Sequence, residues 1–91
     1  MIRRACLVVS IVSAAGGAHA WAGPACTTAS VDRWIPAEAM RRRIEGDGYR
    51  VGVFKTTEGR CYEIYGRDKD GRRVEIYFDP VSGAIVKSSV R

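Results

Sequence analysis

Apolar residues follow three different rhythms along this chain. They are continuous and uncharged from Ala5 to Ala15, return at spacings of three and four from Ala37 to Ile44, and alternate with polar residues in the segments after Arg50. The first rhythm is preceded by Arg3-Arg4 and followed by Gly16-Gly17-Ala18-His19-Ala20. Those are the basic, apolar and Ala-x-Ala parts of a secretory signal peptide, with cleavage expected after Ala20. A run of eleven residues at about 1.5 Å each spans roughly half of a bilayer core of about 30 Å, too little for a membrane anchor. Neither Ser nor Thr precedes Arg3-Arg4, which favours ordinary secretion over twin-arginine export.

The second rhythm predicts a helix from Pro36 to about Glu45. Pro36 suits a first helical position, Glu38 favours the positive helix start, and Ala37, Met40 and Ile44 form the apolar stripe. Arg41, Arg42 and Arg43 fall near the C-terminus, where the dipole favours cations, and read as a solvated face. Gly46 and Gly48 offer left-handed stops.

The third rhythm predicts four strands, roughly Arg50 to Thr56, Cys61 to Arg67, Arg72 to Phe78 and Ala84 to Ser89. They are separated by the turn signals Thr57-Glu58-Gly59, Asp70-Gly71 and Asp79-Pro80-Val81-Ser82-Gly83. Placing Ile64 opposite Ile76 and Tyr62 opposite Phe78 makes Lys69-Asp70-Gly71 a three-residue loop ending on the glycine such a loop requires. It also sets Tyr65 opposite Glu75 and Glu63 opposite Tyr77 on the other face. For the first hairpin, Val53 opposite Tyr62 gives a four-residue loop, Thr56 to Gly59, with Phe54 as the alternative inward residue. The expected fold is α+β: one N-terminal helix packed on a small antiparallel sheet of three to four strands, which buries both apolar stripes.

Composition refines this picture. The chain has 91 residues, enough for one domain, and its 46% hydrophobic and 27% charged residues are those of a globular protein. Its expected parts are a signal peptide at 1–20, an extended arm at 21–33 and the domain at 34–91. The 15 Lys and Arg, less Arg3 and Arg4, leave 13 against 10 Asp and Glu, a net of +3. That mild excess argues against a nucleic-acid partner. Of three cysteines, Cys6 leaves with the signal, and Cys26 and Cys61 are expected to pair in an oxidising compartment. The rival readings, half a metal site or a reactive thiol, lack further ligands and a base. In the chain-entropy picture, closing such a loop stabilises the fold by roughly 3.5 to 4 kcal/mol.

His19, the only histidine, also leaves with the signal, removing the commonest general acid or base near neutrality. No catalytic constellation is found and no enzyme activity, cofactor or metal is expected. Asp68-Lys69-Asp70-Gly71 has the middle of a calcium loop, but that alignment puts Gly66 at the first ligand position and Tyr77 where a bidentate Glu belongs, so it reads as a hairpin turn. Tyr65, Tyr77, Arg67 and Arg73 share one sheet face, and such residues commonly anchor protein contacts. They are the candidate partner-binding residues, set against an ordinary exposed β face. A sheet edge, adding a strand from a partner, is a further mode.

The order of these elements resembles the PepSY family, in particular its small periplasmic members with a cysteine pair. The resemblance spans about Cys26 to Val90. It rests on Trp34-Ile35-Pro36, Gly48-Tyr49, Gly59-Arg60-Cys61-Tyr62-Glu63-Ile64, Asp70-Gly71-Arg72-Arg73-Val74-Glu75 and Asp79-Pro80-Val81-Ser82-Gly83. It implies an extracytoplasmic helix-on-sheet domain without activity of its own. PepSY units occur in the propeptides of secreted metallopeptidases, thought to restrain the peptidase; with no peptidase domain expected after Arg91, any such action is expected in trans. The expected function is a periplasmic or secreted non-catalytic binding module that modulates a peptidase or other envelope protein, without stable membrane insertion. The alternative is a small-ligand or metal-ion sensor or carrier using Asp68, Asp70 and Asp79.

Overall fold

A computed structural model describes residues 23–91. The expected signal peptide and its cleavage site, with Cys6 and His19, lie outside the described residues. From Gly23 to Ser30 the chain has no regular structure; a 3-10 turn, Val31–Arg33, then leads to the helix α1, Ala37–Gly46. Four strands follow, β1 (Arg50–Thr56), β2 (Tyr62–Arg67), β3 (Arg73–Phe78) and β4 (Ile85–Val90). They form one antiparallel sheet in the order β1-β2-β3-β4. The helix covers one face, so the fold is the expected α+β arrangement.

Two helix turns bury Met40 and Ile44 against Tyr62, Ile64, Val74, Ile76 and Phe78, with Trp34, Ile35, Tyr49, Val51 and Phe54 packed around them. Pro36 is the N-cap, one place earlier than predicted, with extended φ −55° and ψ 142°. Ala37, assigned to the buried stripe, is exposed, because only the spacing from Met40 to Ile44 points at the sheet. At the other end Gly48 takes φ 103°, its N–H donates to the Glu45 carbonyl, and the Tyr49 N–H donates to the Ile44 carbonyl. That is a Schellman stop, and it places Tyr49 beside the core.

The second hairpin has the predicted register, with Tyr62 opposite Phe78, Ile64 opposite Ile76 and Gly71 at φ 83°. The first does not. Phe54 faces Ile64 and Val53 faces Tyr65, with a register shift between Val51 and Val53 that leaves Gly52 as the extra residue. This bulge turns Val51 and Phe54, three apart, both toward the helix, which plain alternation forbids. The strands approach closely there: a side chain on Gly66 would lie 2.1 Å from the Arg50 carbonyl oxygen. The loop is not Thr56 to Gly59. Thr57 N–H donates to Cys61 O, and Arg60, at φ 64°, takes the left-handed position.

The arm is fastened to this first loop. A disulfide joins Cys26 and Cys61, 35 residues apart with Cα atoms 5.1 Å apart, and the Cys26 N–H donates to the Gly59 carbonyl. Arg60 donates to the Ala29 carbonyl at 2.6 Å and lies 5.1 Å over the Trp34 ring, while Trp34 Nε1 donates to the same carbonyl. These bonds stabilise a non-glycine residue in a backbone region that ordinarily costs it energy. Trp34 meets Tyr62 edge-on at 5.5 Å, and the Tyr62 hydroxyl donates to the Ile35 carbonyl at 2.6 Å.

Candidate functional site on the open face of the sheet

Alternation sends Glu63, Tyr65 and Arg67 of β2 and Arg73, Glu75 and Tyr77 of β3 to the face away from α1, because Ile64, Val74 and Ile76 face the helix. Three cross-strand rows result. Arg50, Arg67, Arg73 and Arg91 form the first, since Arg50 faces Arg67, Arg67 faces Arg73, and the Arg91 N–H donates to the Arg73 carbonyl. Val53, Tyr65, Glu75 and Ser89 form the second, and Lys55, Glu63, Tyr77 and Lys87 the third.

The first row and Tyr65 line a cleft of about 470 Å³. Tyr65, Arg67 and Arg73 are thus brought together. The Tyr65 ring lies under two cations, 5.2 Å from Lys55 Nζ and 5.5 Å from the Arg91 guanidinium. Arg91 pairs with Glu75 at 3.2 Å, and Arg67 donates to the Gly71 carbonyl. Among the described residues neither Arg50 nor Arg73 has a carboxylate within 4.0 Å.

Tyr77 stands elsewhere on the same face. It is 6% exposed, and Gly23 of the arm lies so close that a side chain there would come within 2.6 Å of the ring. Its hydroxyl donates to Glu75 Oε2 at 3.1 Å. Beside it Glu63 is 2% exposed, with Lys55 Nζ at 3.6 Å from Oε1. Burial, and then a hydrogen bond given to Glu75, push the Glu63 carboxyl above its ordinary range; receiving that bond holds Glu75 below it. Burial, followed by the two carboxyls, raises Tyr77.

The acidic turn residues are occupied locally. Asp68 Oδ1 accepts from the N–H groups of Asp70 and Arg72 and Oδ2 from Arg72 Nε at 2.8 Å; the Arg72 N–H contributes most to holding this carboxyl below its usual range. Asp79 Oδ1 caps the N–H groups of Val81 and Ser82. Among the described residues no three of His, Cys, Asp and Glu are grouped to hold a metal ion.

Two members of the arginine row, Arg50 and Arg91, were not singled out from the sequence. Both lie at strand ends on the sheet's edges, so they emerge only when β1 and β4 are registered against β2 and β3. The signal was an arginine at the end of each strand nearest the Lys69-Asp70-Gly71 loop.

Among the described residues no helix is long and apolar enough to cross a membrane. No curated protein and no solved structure matched the chain. The family described as "Peptidase propeptide and YPEB domain" matches residues 4–89, nearly the whole sequence. With the disulfide and the helix-on-sheet architecture in place, the chain belongs to the PepSY family.

Proposed function

We propose that this PepSY domain is an extracytoplasmic, non-catalytic binding module that contacts an envelope or secreted protein, a peptidase being the leading class, through the open face of its sheet. The observation that carries the reading is the cleft in which Tyr65 lies among Arg50, Arg67, Arg73 and Arg91. An aromatic ring held rigid beside several guanidinium groups loses little side-chain freedom on contact, and both types are favoured at the energetic centres of protein interfaces. Family membership supports a regulatory or binding role, and the signal-like residues 1–20 support export. The named candidate residues divide into Tyr65, Arg67 and Arg73, which would touch the partner, and Tyr77, which would support the face from beneath the arm.

The test is a photo-reactive amino acid at position 65, with the chain expressed in its native envelope and adducts identified by mass spectrometry. A defined envelope or secreted protein joined at position 65, displaced by an excess of the unmodified chain but not by a copy carrying Tyr65→Ser, is the expected result. No adduct at position 65 in a folded chain would overturn the reading.

A further inference from the structure

We propose that the four-arginine row binds an extended acidic segment of the partner protein, laid across the strands. This rests on the open face being the binding surface. Every strand supplies one arginine to the same end of one face: Arg50 from β1, Arg67 from β2, Arg73 from β3, and Arg91 directly after β4. Like charges directly opposite one another destabilise a sheet, and here the arrangement runs across its full width. One carboxylate, Glu75, answers one of the four through Arg91. The row is therefore short of negative charge, and it lines a concave surface.

Spacing decides the shape of the ligand. Adjacent strands lie about 4.8 Å apart, so four arginines span about 14 Å across the sheet. Alternate residues of an extended peptide lie about 6.8 Å apart, so three carboxylates on one side of such a peptide also cover about 14 Å. Each planar guanidinium can hold a carboxylate by two parallel hydrogen bonds. Three carboxylates at that spacing fall along the row of four guanidiniums, of which Arg91 already pairs with Glu75 and Arg67 donates to the Gly71 carbonyl. Tyr65, in the next row, offers its ring to the apolar part of an intervening side chain. An anionic lipid surface fits less well: it would gain from the positive charge of Arg41, Arg42 and Arg43 as well, and those lie on the helix, across the sheet from this cleft.

The experiment uses the chain from Trp21 to Arg91 and a fluorescein-labelled peptide of alternating glutamate and threonine, with its glutamine counterpart, phosphatidylglycerol vesicles and inorganic phosphate as comparison probes. Expected is anisotropy-detected binding of the glutamate peptide alone, weakening as salt rises, and at least tenfold weaker when Arg50 and Arg73 are both Thr. Thr suits a strand and neither arginine has an ion pair within the described residues, so the variant should melt no lower than the parent. Equal binding of the glutamine peptide, tighter binding of vesicles or phosphate, or indifference to the double substitution would overturn the proposal. Photo-capture of a protein at position 65 that persists unchanged in the double variant would overturn the acidic specificity and leave the binding module standing. No capture by the parent chain removes both.

Discussion

Glu63 and Lys55 face each other across β1 and β2 with Oε1 and Nζ 3.6 Å apart, yet the two ends of this pair live in different media: the Lys55 side chain is half exposed and that of Glu63 is buried. Burial raises the Glu63 carboxyl more than the half-solvated ammonium lowers it, and Glu75 and Tyr77 complete its surroundings. Folded Glu63 therefore holds its proton to higher pH than the unfolded chain does. Its contribution to stability is present below the unfolded value of 4.5 and is lost as pH rises through the folded one. Glu75 has the opposite sign, contributing above the unfolded 4.5 and losing that contribution as pH falls through its lowered folded value. Glu63→Gln should flatten the decline in melting temperature above pH 4.5, measured by circular dichroism across pH 4 to 8. An unchanged slope would show that Glu63 is ionised in the folded chain.

Reduction should be severe. The Cys26–Cys61 bond ties the arm to the first hairpin loop, and Cys61 is fully buried. Cys26→Ser with Cys61→Ser should lower stability by about 2–5 kcal/mol, the range for removing a native disulfide from a small domain. Denaturant unfolding with and without reductant measures it, and reductant should leave the double variant unaffected.

In the core, Ile76→Ala should cost about 2–5 kcal/mol, because Ile76 is fully enclosed between the sheet and α1. Ile85 on β4 is 51% exposed, so Ile85→Ala should stay within about 0.5 kcal/mol. Comparable losses at the two positions would mean that β4 is covered in solution.

Tyr62→Phe separates a hydrogen bond from ring packing. The ring would keep its contacts with Trp34 and Phe54, while the Ile35 carbonyl would lose its donor, costing about 0.5–1.5 kcal/mol. Urea midpoints at constant slope would show it.

Arg73→Thr should raise the melting temperature slightly at low salt, since Arg73 stands between Arg67 and Arg91 without an acidic partner among the described residues. The gain should fade as added salt screens the row. A loss that does not depend on salt would mean that Arg73 contributes packing instead.

The two hairpins show why some of this was readable and some was not. Thr57 and Asp68 occupy equivalent places: each backbone N–H donates to the carbonyl four residues on, to Cys61 and Arg72, and each side chain accepts from that residue's N–H. The second loop announced itself because glycine occupies its left-handed position. The first hid, because Arg60 occupies that position and Gly59 comes one residue early. Its strain is offset by Ala29 and Trp34, partners 31 and 26 residues away that no local pattern reveals. The β1 register failed for a related reason: Gly52 inserts one residue, and alternation read without a bulge turns Val53 inward. Alternation in β2 and β3 puts Tyr65, Arg67, Arg73 and Tyr77 on one face of the sheet, as the strand register has them. It could not distinguish Tyr65 in the cleft from Tyr77 beneath Gly23, because the course of the arm over the sheet leaves no periodic trace.

The strand order has a kinetic corollary. With every strand hydrogen-bonded only to its neighbours along the chain, the sheet can grow by successive short loop closures, the arrangement that lowers the entropic barrier to folding. The sulfur–sulfur link is the long-range covalent tie among the described residues, and one of its atoms ends fully enclosed. Oxidation after the sheet has formed would have to reach a shielded sulfur, whereas oxidation beforehand would draw the arm onto the first hairpin loop early. The rate at which a reduced chain acquires its bond should therefore fall as the unlinked domain becomes more stable.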